Sequence, residues 1–354
     1  MSGRIIAVDV LLIVSFGGPE GPDDVVPFLE NVTRGRGIPR ERLVEVGAHY
    51  SHFGGVSPIN EINRSLVARV RTALAERDEQ MPVLWGNRNW DPYLADAMGQ
   101  ARDLGATRVF VLLTAAYSSY SGCRQYRENL HDALLAVQGE GRDWLPEVHK
   151  LRTYFNHRGF IDAMVDSTRA SLADLPPGSR LVFTTHSIPT ADADRCDYVV
   201  QHRDAAATIA GALGRGEDWD LVYQSRSGAP HVPWLEPDIS DHLVELAEAG
   251  TPGVAVVPIG FVSDHMEVIW DLDTVAAQTA REIGLPFARA ATAGTDPRFV
   301  SMVADLLEES RAAADGRVRI QSPTAGTLGA RAVPCAPGCC PNPRGPRPAL
   351  CGSD

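Results

Sequence analysis

Short apolar runs alternate with stretches of helical period along most of the chain. Eight runs rich in Val, Leu and Ile read as strands: 10–15, 82–86, 108–114 and 147–154, then 180–185, 221–224, 254–259 and 286–291. They show little alternation of apolar and polar positions, the pattern of parallel strands buried on both faces. Between them, apolar spacing predicts helices over 57–77, 92–103, 126–137, 160–175, 204–213, 239–248, 265–283 and 297–312. Strand and helix taking turns predicts a doubly wound α/β fold. Four strands in each half predict two similar lobes, each a four-stranded parallel sheet flanked by helices. The break falls around "DLPPG", residues 174–178, giving lobes over 1–175 and 176–320. From Gln321 onward Pro, Gly and Ala dominate and no period survives, so 321–354 reads as an irregular tail.

Open α/β sheets bind ligands beyond the carboxyl ends of their strands. That rule gathers "SFGGP", "WGNRNW", "TAAYSSYSGC", "THSIPT", "YQSRSG" and "PIGFVSDH" at a cleft between the lobes. Composition narrows the class of ligand. With a net charge of -12, the chain is a poor partner for nucleic acid or an anionic membrane. The apolar run Val8–Phe16 is too short to span a bilayer and carries Asp9, so neither an export signal nor an integral membrane segment is expected. A cytoplasmic setting is reducing, so the six cysteines read as core residues, reactive thiols or metal ligands.

His186 closes the apolar strand in "VFTTHSIPT". At a strand end it is either an ordinary rim histidine or a base and metal ligand near neutral pH. Glu267 and Asp271 in "SDHMEVIWDLD" are four apart on one helical face, behind a cap at Ser263 or Asp264. Their neighbours Met266, Val268, Ile269 and Trp270 are apolar. Carboxylates in such company are costly unless paired, protonated or metal-bound. A histidine facing them across a cleft is a divalent-metal and proton-transfer constellation. Arg34 and Arg36 flank Gly35 and suit carboxylate groups, with Tyr50, Ser57 and Tyr126 as hydroxyl donors. Phe16, Trp85, Trp90 and Trp234 are candidates for a flat apolar wall. Cys335, Cys339 and Cys340 lie close enough in the tail to share one metal centre, with Cys351 further on. Zinc and an iron–sulfur cluster both accept thiolates, although C-x3-C-C matches the usual spacing of neither; a metal-free thiol tail is the third reading.

Together "LLIVSFGGPEGPDDVVPFLENVTRGRG", "HYSHFGGVSPINEINRSL", "VFTTHSIPT", "YQSRSG", "PWLEPD" and "PIGFVSDHMEVIWDLD" resemble ferrochelatases, most of all their actinobacterial branch. The resemblance runs from about Val10 to about Leu307. It implies two Rossmann-like lobes around a porphyrin cleft, and Fe2+ insertion with release of two protons. It makes His186 the metal ligand or proton acceptor, Glu267 the catalytic glutamate across the macrocycle, and Asp271 part of an acidic path that carries metal or protons. Arg34, Tyr50, Ser57 and Tyr126 fall where relatives contact propionates. It also implies coproporphyrin III as substrate, ferrous iron as co-substrate and handover of coprohaem to the next haem-synthesis enzyme. Protoporphyrin IX insertion and a non-catalytic tetrapyrrole carrier are the alternatives. Two departures stand out: Phe16 replaces a tyrosine that can ligate iron in many relatives, and Val275 interrupts the acidic row. Some ferrochelatases hold a [2Fe–2S] cluster on one internal and three C-terminal cysteines. The matching set is Cys123, Cys335, Cys339 and Cys340, with Cys196 and Cys351 as alternates.

Overall fold

The computed structural model describes residues 8–138, 143–317 and 323–352. The expected lobe–tail boundary at 320/321 lies outside them. All eight expected strands form, and every pairing is parallel. β1 (Asp9–Ser15), β2 (Val83–Asn87), β3 (Arg108–Leu113) and β4 (Glu147–Lys150) make one sheet in the order β2-β1-β3-β4. β5 (Arg180–His186), β6 (Trp219–Gln224), β7 (Val254–Val257) and β8 (Phe287–Arg289) repeat that order as β6-β5-β7-β8. The lack of apolar–polar alternation has the expected cause: Val10 through Val14 of β1 are wholly buried.

Helices cover both sheets: α1 (Val25–Val32), α2 (Arg40–Ser51), α3 (Ile59–Ala75), α4 (Leu94–Asp103), α5 (Gln125–Gln138) and α6 (Arg158–Leu172) in the first half. The second half supplies α7 (Thr190–Ala193), α8 (Tyr198–Ala212), α9 (Ile239–Glu248), α10 (Met266–Val268), α11 (Ala277–Glu282) and α12 (Pro297–Ala314). α12 returns to the first half and packs on α3 and α6. Its Phe299 meets Tyr154 and Phe160 edge-on at 5.8 and 6.3 Å, inside a core that joins the two sheets. Burying a side chain of that size contributes about 1.5–3 kcal/mol. Arg77–Asp305 at 2.7 Å and Arg311–Asp9 at 2.9 Å fasten the same helix at its edges.

The chain differs from its pattern in three places. α1 and α2 were not expected. The expected helix 265–283 is interrupted by a π segment, Ile269–Ala276, between α10 and α11. Its cap is His265, whose Nδ1 accepts from the Glu267 N–H at 3.2 Å. Asp264 cannot cap it, because its carboxylate is paired with Arg289 at 3.0 Å and accepts from Thr292 at 3.1 Å.

In each sheet the chain leaves the first strand to one side and returns on the other, so the switch point lies between β1 and β3 and between β5 and β7. Just past β7, Gly260 crosses the end of β5 so closely that a Cβ there would sit 2.0 Å from Thr185 Oγ1. Gly260→Ala therefore forces β5 and the loop before α10 apart. It should destabilise the fold by about 1–3 kcal/mol in denaturant unfolding. A loss below about 0.5 kcal/mol contradicts this contact.

Candidate active site

His186 is the last residue of β5, in register with Gln224 at the end of β6. Its Nδ1 is bonded to the Ser187 carbonyl, which turns Nε2 toward Glu267 Oε2 at 3.7 Å. Gln224 holds the arrangement from behind. Its Oε1 accepts from Thr184 at 3.0 Å, while its Nε2 donates to the Glu267 carbonyl at 2.8 Å and to Asp271 Oδ2 at 3.4 Å. Ser225, in the left-handed region at φ 61°, donates its hydroxyl to the same Asp271 oxygen. The end of β6 thus holds the Asp271 carboxylate and the Glu267 backbone carbonyl.

The electrostatics follow from enclosure. Glu267 is about half open to the cleft yet surrounded by protein mass on all other sides. Burial works against its ionisation, but His186, with His265 adding, reverses that and holds its carboxyl down at about 2. His186 shows the mirror effect. Burial opposes its charge, and Glu267, the Ser187 carbonyl and Asp271 together raise it above the ordinary 6.5. Asp271 is pushed up to about 6, by burial first and by Glu267 next, against the hydrogen bond from Ser225. The three groups are shifted in different senses: Glu267 is held down, His186 is raised, and Asp271 is pushed up to about 6.

In front of Glu267 opens a cavity of about 160 Å³ between the lobes. The second half contributes Phe261, Met266 and Glu267; the first contributes Phe16, Tyr50, Ser57 and Tyr126. Four of the expected porphyrin contacts thus line one space. Two expected contacts lie outside it. Trp234 runs beside the exit loop of β5, bridged to Pro189 and pressed under Gly228. Arg34 is exposed and bonded to Asn31. The expected placement of Glu267 across a macrocycle from His186 is also corrected. A flat ring needs about 7 Å between the groups on its two faces, two aromatic contacts of about 3.5 Å each. At 3.7 Å, His186 and Glu267 stand on the same face. Nor do His186, Glu267 and Asp271 converge on one point as metal ligands, since Asp271 is turned to Ser225 and Gln224.

Pattern reasoning missed Gln224, which carries no charge to flag it. It also missed Arg88 and Arg344. Arg88 lies over the rings of Tyr126 at 4.8 Å and Phe16 at 5.6 Å, both in the cavity wall. Arg36 is held below its ordinary value by burial first, then by the like charges of Arg344 and Arg88 beside it. Among the described residues, no carboxylate is paired with Arg36, Arg88 or Arg344. The opposite wall is tied across the cleft by Trp270, which stacks on His49 at 4.1 Å and 8°.

The tail brings its cysteines to the internal one. Cys123 is hydrogen-bonded to Cys335, Cys335 to Cys339, and Cys339 lies 3.7 Å from Cys340. Hydrogen bonds from Cys123 and Cys339 hold Cys335 well below the ordinary thiol range, and Lys150 and Arg127 add to that. Cys196 and Cys351 flank this chain of four, near Cys340 and Cys335 respectively. Among the described residues, no group of three or more His, Cys, Asp or Glu side chains is arranged around a single metal ion.

A ferrochelatase profile matches residues 9–311. The chain belongs to the ferrochelatase family. Its similarity to a protein of Streptomyces coelicolor named coproporphyrin III ferrochelatase is 57% identity, covering 98% of this chain and 96% of that one. A protein of the same name from Streptomyces griseus is 56% identical over the same shares. Among solved structures, the chelatase SirB from Bacillus subtilis with Fe3+ aligns with a TM-score of 0.53 at 10% identity, over 87% of this chain and 98% of that one. That likeness shows the two-lobed chelatase fold. Within a ferrochelatase, the same-face geometry makes His186 depend on Glu267 for its charge. Glu267→Gln leaves the burial and removes the counter-charge, so the His186 imidazole should titrate lower than in the wild type by NMR. An unchanged titration contradicts the coupling.

Proposed function

We propose that this protein inserts Fe2+ into coproporphyrin III, releasing two protons and giving coprohaem for haem biosynthesis. The observation that carries the reading is the His186–Glu267 pair at 3.7 Å, of which Glu267 lines an interlobe cavity walled on its other side by Phe16, Phe28, Tyr50 and Tyr126. Insertion is slow in water because the ring must pucker and two N–H protons must leave. A rigid cleft favours the puckered form, which resembles the transition state. The proton acceptors belong to the second-lobe face. His186 accepts as an imidazole whose positive charge Glu267 stabilises. Asp271, titrating at about 6 and held by Gln224 and Ser225, is the next proton acceptor on that side. The opposite face offers little to hold the metal: Phe16 has no ligand atom, and Tyr50 stays a phenol, its proton retained by burial and by Glu267.

Substrate choice rests on charge. Arg36, Arg88 and Arg344 form a positive edge beside the cavity without protein carboxylates to neutralise it. A porphyrin with four propionates satisfies such an edge better than one with two. Both Streptomyces relatives bear the coproporphyrin III name over nearly the full chain, which supports the same choice. We read residues 1–175 and 176–320 as the two lobes and 321–354 as the tail. No helix among the described residues is long and apolar enough to cross a membrane. This agrees with a cytoplasmic enzyme that hands coprohaem to the next one.

In the same reading, Cys123, Cys335, Cys339 and Cys340 hold a [2Fe–2S] cluster, which takes four thiolates, two on each iron. What supports it is that four thiols lie next to one another with basic groups beside them, although they are not gathered around one point. When bound, the cluster supplies one-electron chemistry that metal insertion does not use, so its part is structural or sensory.

His186→Ala should lower kcat for Fe2+ insertion by about 100-fold or more while porphyrin binding, followed by fluorescence quenching, persists. Near-normal turnover in that variant overturns the assignment.

A further inference from the structure

The described part of the tail carries three arginines, and they are not used alike. Arg331 is paired with Asp197, and Arg347 with Asp132. Arg344 is exposed, and among the described residues no carboxylate is paired with it. The chain around it is nevertheless held firmly. Arg124, Glu128 and Asp132 are four apart, so they form one ridge along the start of α5. The ridge grips the tail on both sides of Arg344. Glu128 accepts from Asn342 Nδ2 at 3.1 and 3.2 Å, and Arg124 Nη2 donates to the Arg347 carbonyl at 2.9 Å. Asp132 binds the Arg347 guanidinium. Pro341, Pro343, Pro346 and Pro348 fix φ along the same stretch, so holding it there costs little further ordering. The helix that grips the tail also faces the cleft. Its Tyr126 lines the cavity, and Tyr120, just before it, donates to Glu128 at 3.2 Å. Arg88 lies over the Tyr126 ring at 4.8 Å, with its Nη1 at 3.5 Å from the Ser121 carbonyl. Arg344 is therefore held beside the cavity, and, after burial, it is the first like charge pressing on Arg36.

We propose that Arg344 selects the substrate: its guanidinium binds a propionate that coproporphyrin III carries and protoporphyrin IX lacks. The inference deepens the coproporphyrin III reading above and rests on it. Arg347 would have to give up Asp132 to bind a substrate carboxylate, whereas Arg344 gives up only water. A propionate contact is the same in the bound porphyrin and in the transition state of insertion. It therefore acts on KM and leaves kcat near its value. From beside the cavity, Arg344 meets a side chain of the macrocycle and none of the reacting atoms.

The test uses the full chain as wild type, Arg344→Gln and Arg344→Lys, with circular dichroism as the check on folding. Each is assayed for Fe2+ insertion into coproporphyrin III and protoporphyrin IX, at low and at high salt. Arg344→Gln should raise KM for coproporphyrin III by about threefold or more, with kcat changed by less than about twofold. KM for protoporphyrin IX should move by less than about twofold. Arg344→Lys, which keeps the charge but loses the fork, should fall between wild type and Arg344→Gln. High salt should narrow the gap between wild type and Arg344→Gln, since the contact is exposed. An unchanged KM for coproporphyrin III in Arg344→Gln overturns the role of Arg344 and leaves the functional reading standing. So does an equal rise in KM for both porphyrins. A wild type that metallates neither porphyrin, or that prefers protoporphyrin IX, overturns the functional reading, and the role of Arg344 with it.

Discussion

A carboxylate enclosed by protein needs a partner within a few ångströms that can take up positive charge, and Glu267 has His186 at 3.7 Å. That requirement organises the site. The histidine must sit at a strand end, where its ring can reach forward while Nδ1 is tied to the next carbonyl. The glutamate must sit at the start of a helix, where His265 caps the backbone N–H of Glu267 itself. Gln224 then links the two elements by one side-chain amide, and the π segment brings Asp271 to the same amide. Gly260 lets the loop pass close enough to β5 for the distances to close.

Much of this was legible in the sequence. Buried parallel strands announce themselves by Val, Leu and Ile without alternation, and all eight were found. One strand end pointed to His186, a helical spacing to Glu267 and Asp271, and the family resemblance to Tyr50, Ser57 and Tyr126. What stayed hidden has physical reasons. α1 carries Pro27 in its first turn, where a proline is tolerated but reads as a breaker. α2 buries only Leu43, Gly47 and Tyr50, too few apolar positions to show a period. A π segment changes the hydrogen-bond step while leaving composition untouched, so a 3.6-residue template passes over it. Glu267 and Asp271 were placed together by a helical spacing, but which face of the ring they share with His186 is a matter of distance.

The arginines show the other limit. Arg36, Arg88 and Arg344 come from a loop, a strand end and the tail, and no local pattern joins them. Their proximity gives the tail two roles in one reading. It carries three cysteines to Cys123, and it carries a guanidinium to the porphyrin edge.

In the proposed function, the His186–Glu267 pair metallates a porphyrin held by more guanidiniums than two propionates need. The most direct measurement is Fe2+ insertion by the purified protein with coproporphyrin III and protoporphyrin IX side by side, followed by loss of porphyrin fluorescence. Metallation of both, or of coproporphyrin III alone, is expected, with the higher kcat/KM for coproporphyrin III. No metallation of either, or a clear preference for protoporphyrin IX, contradicts it.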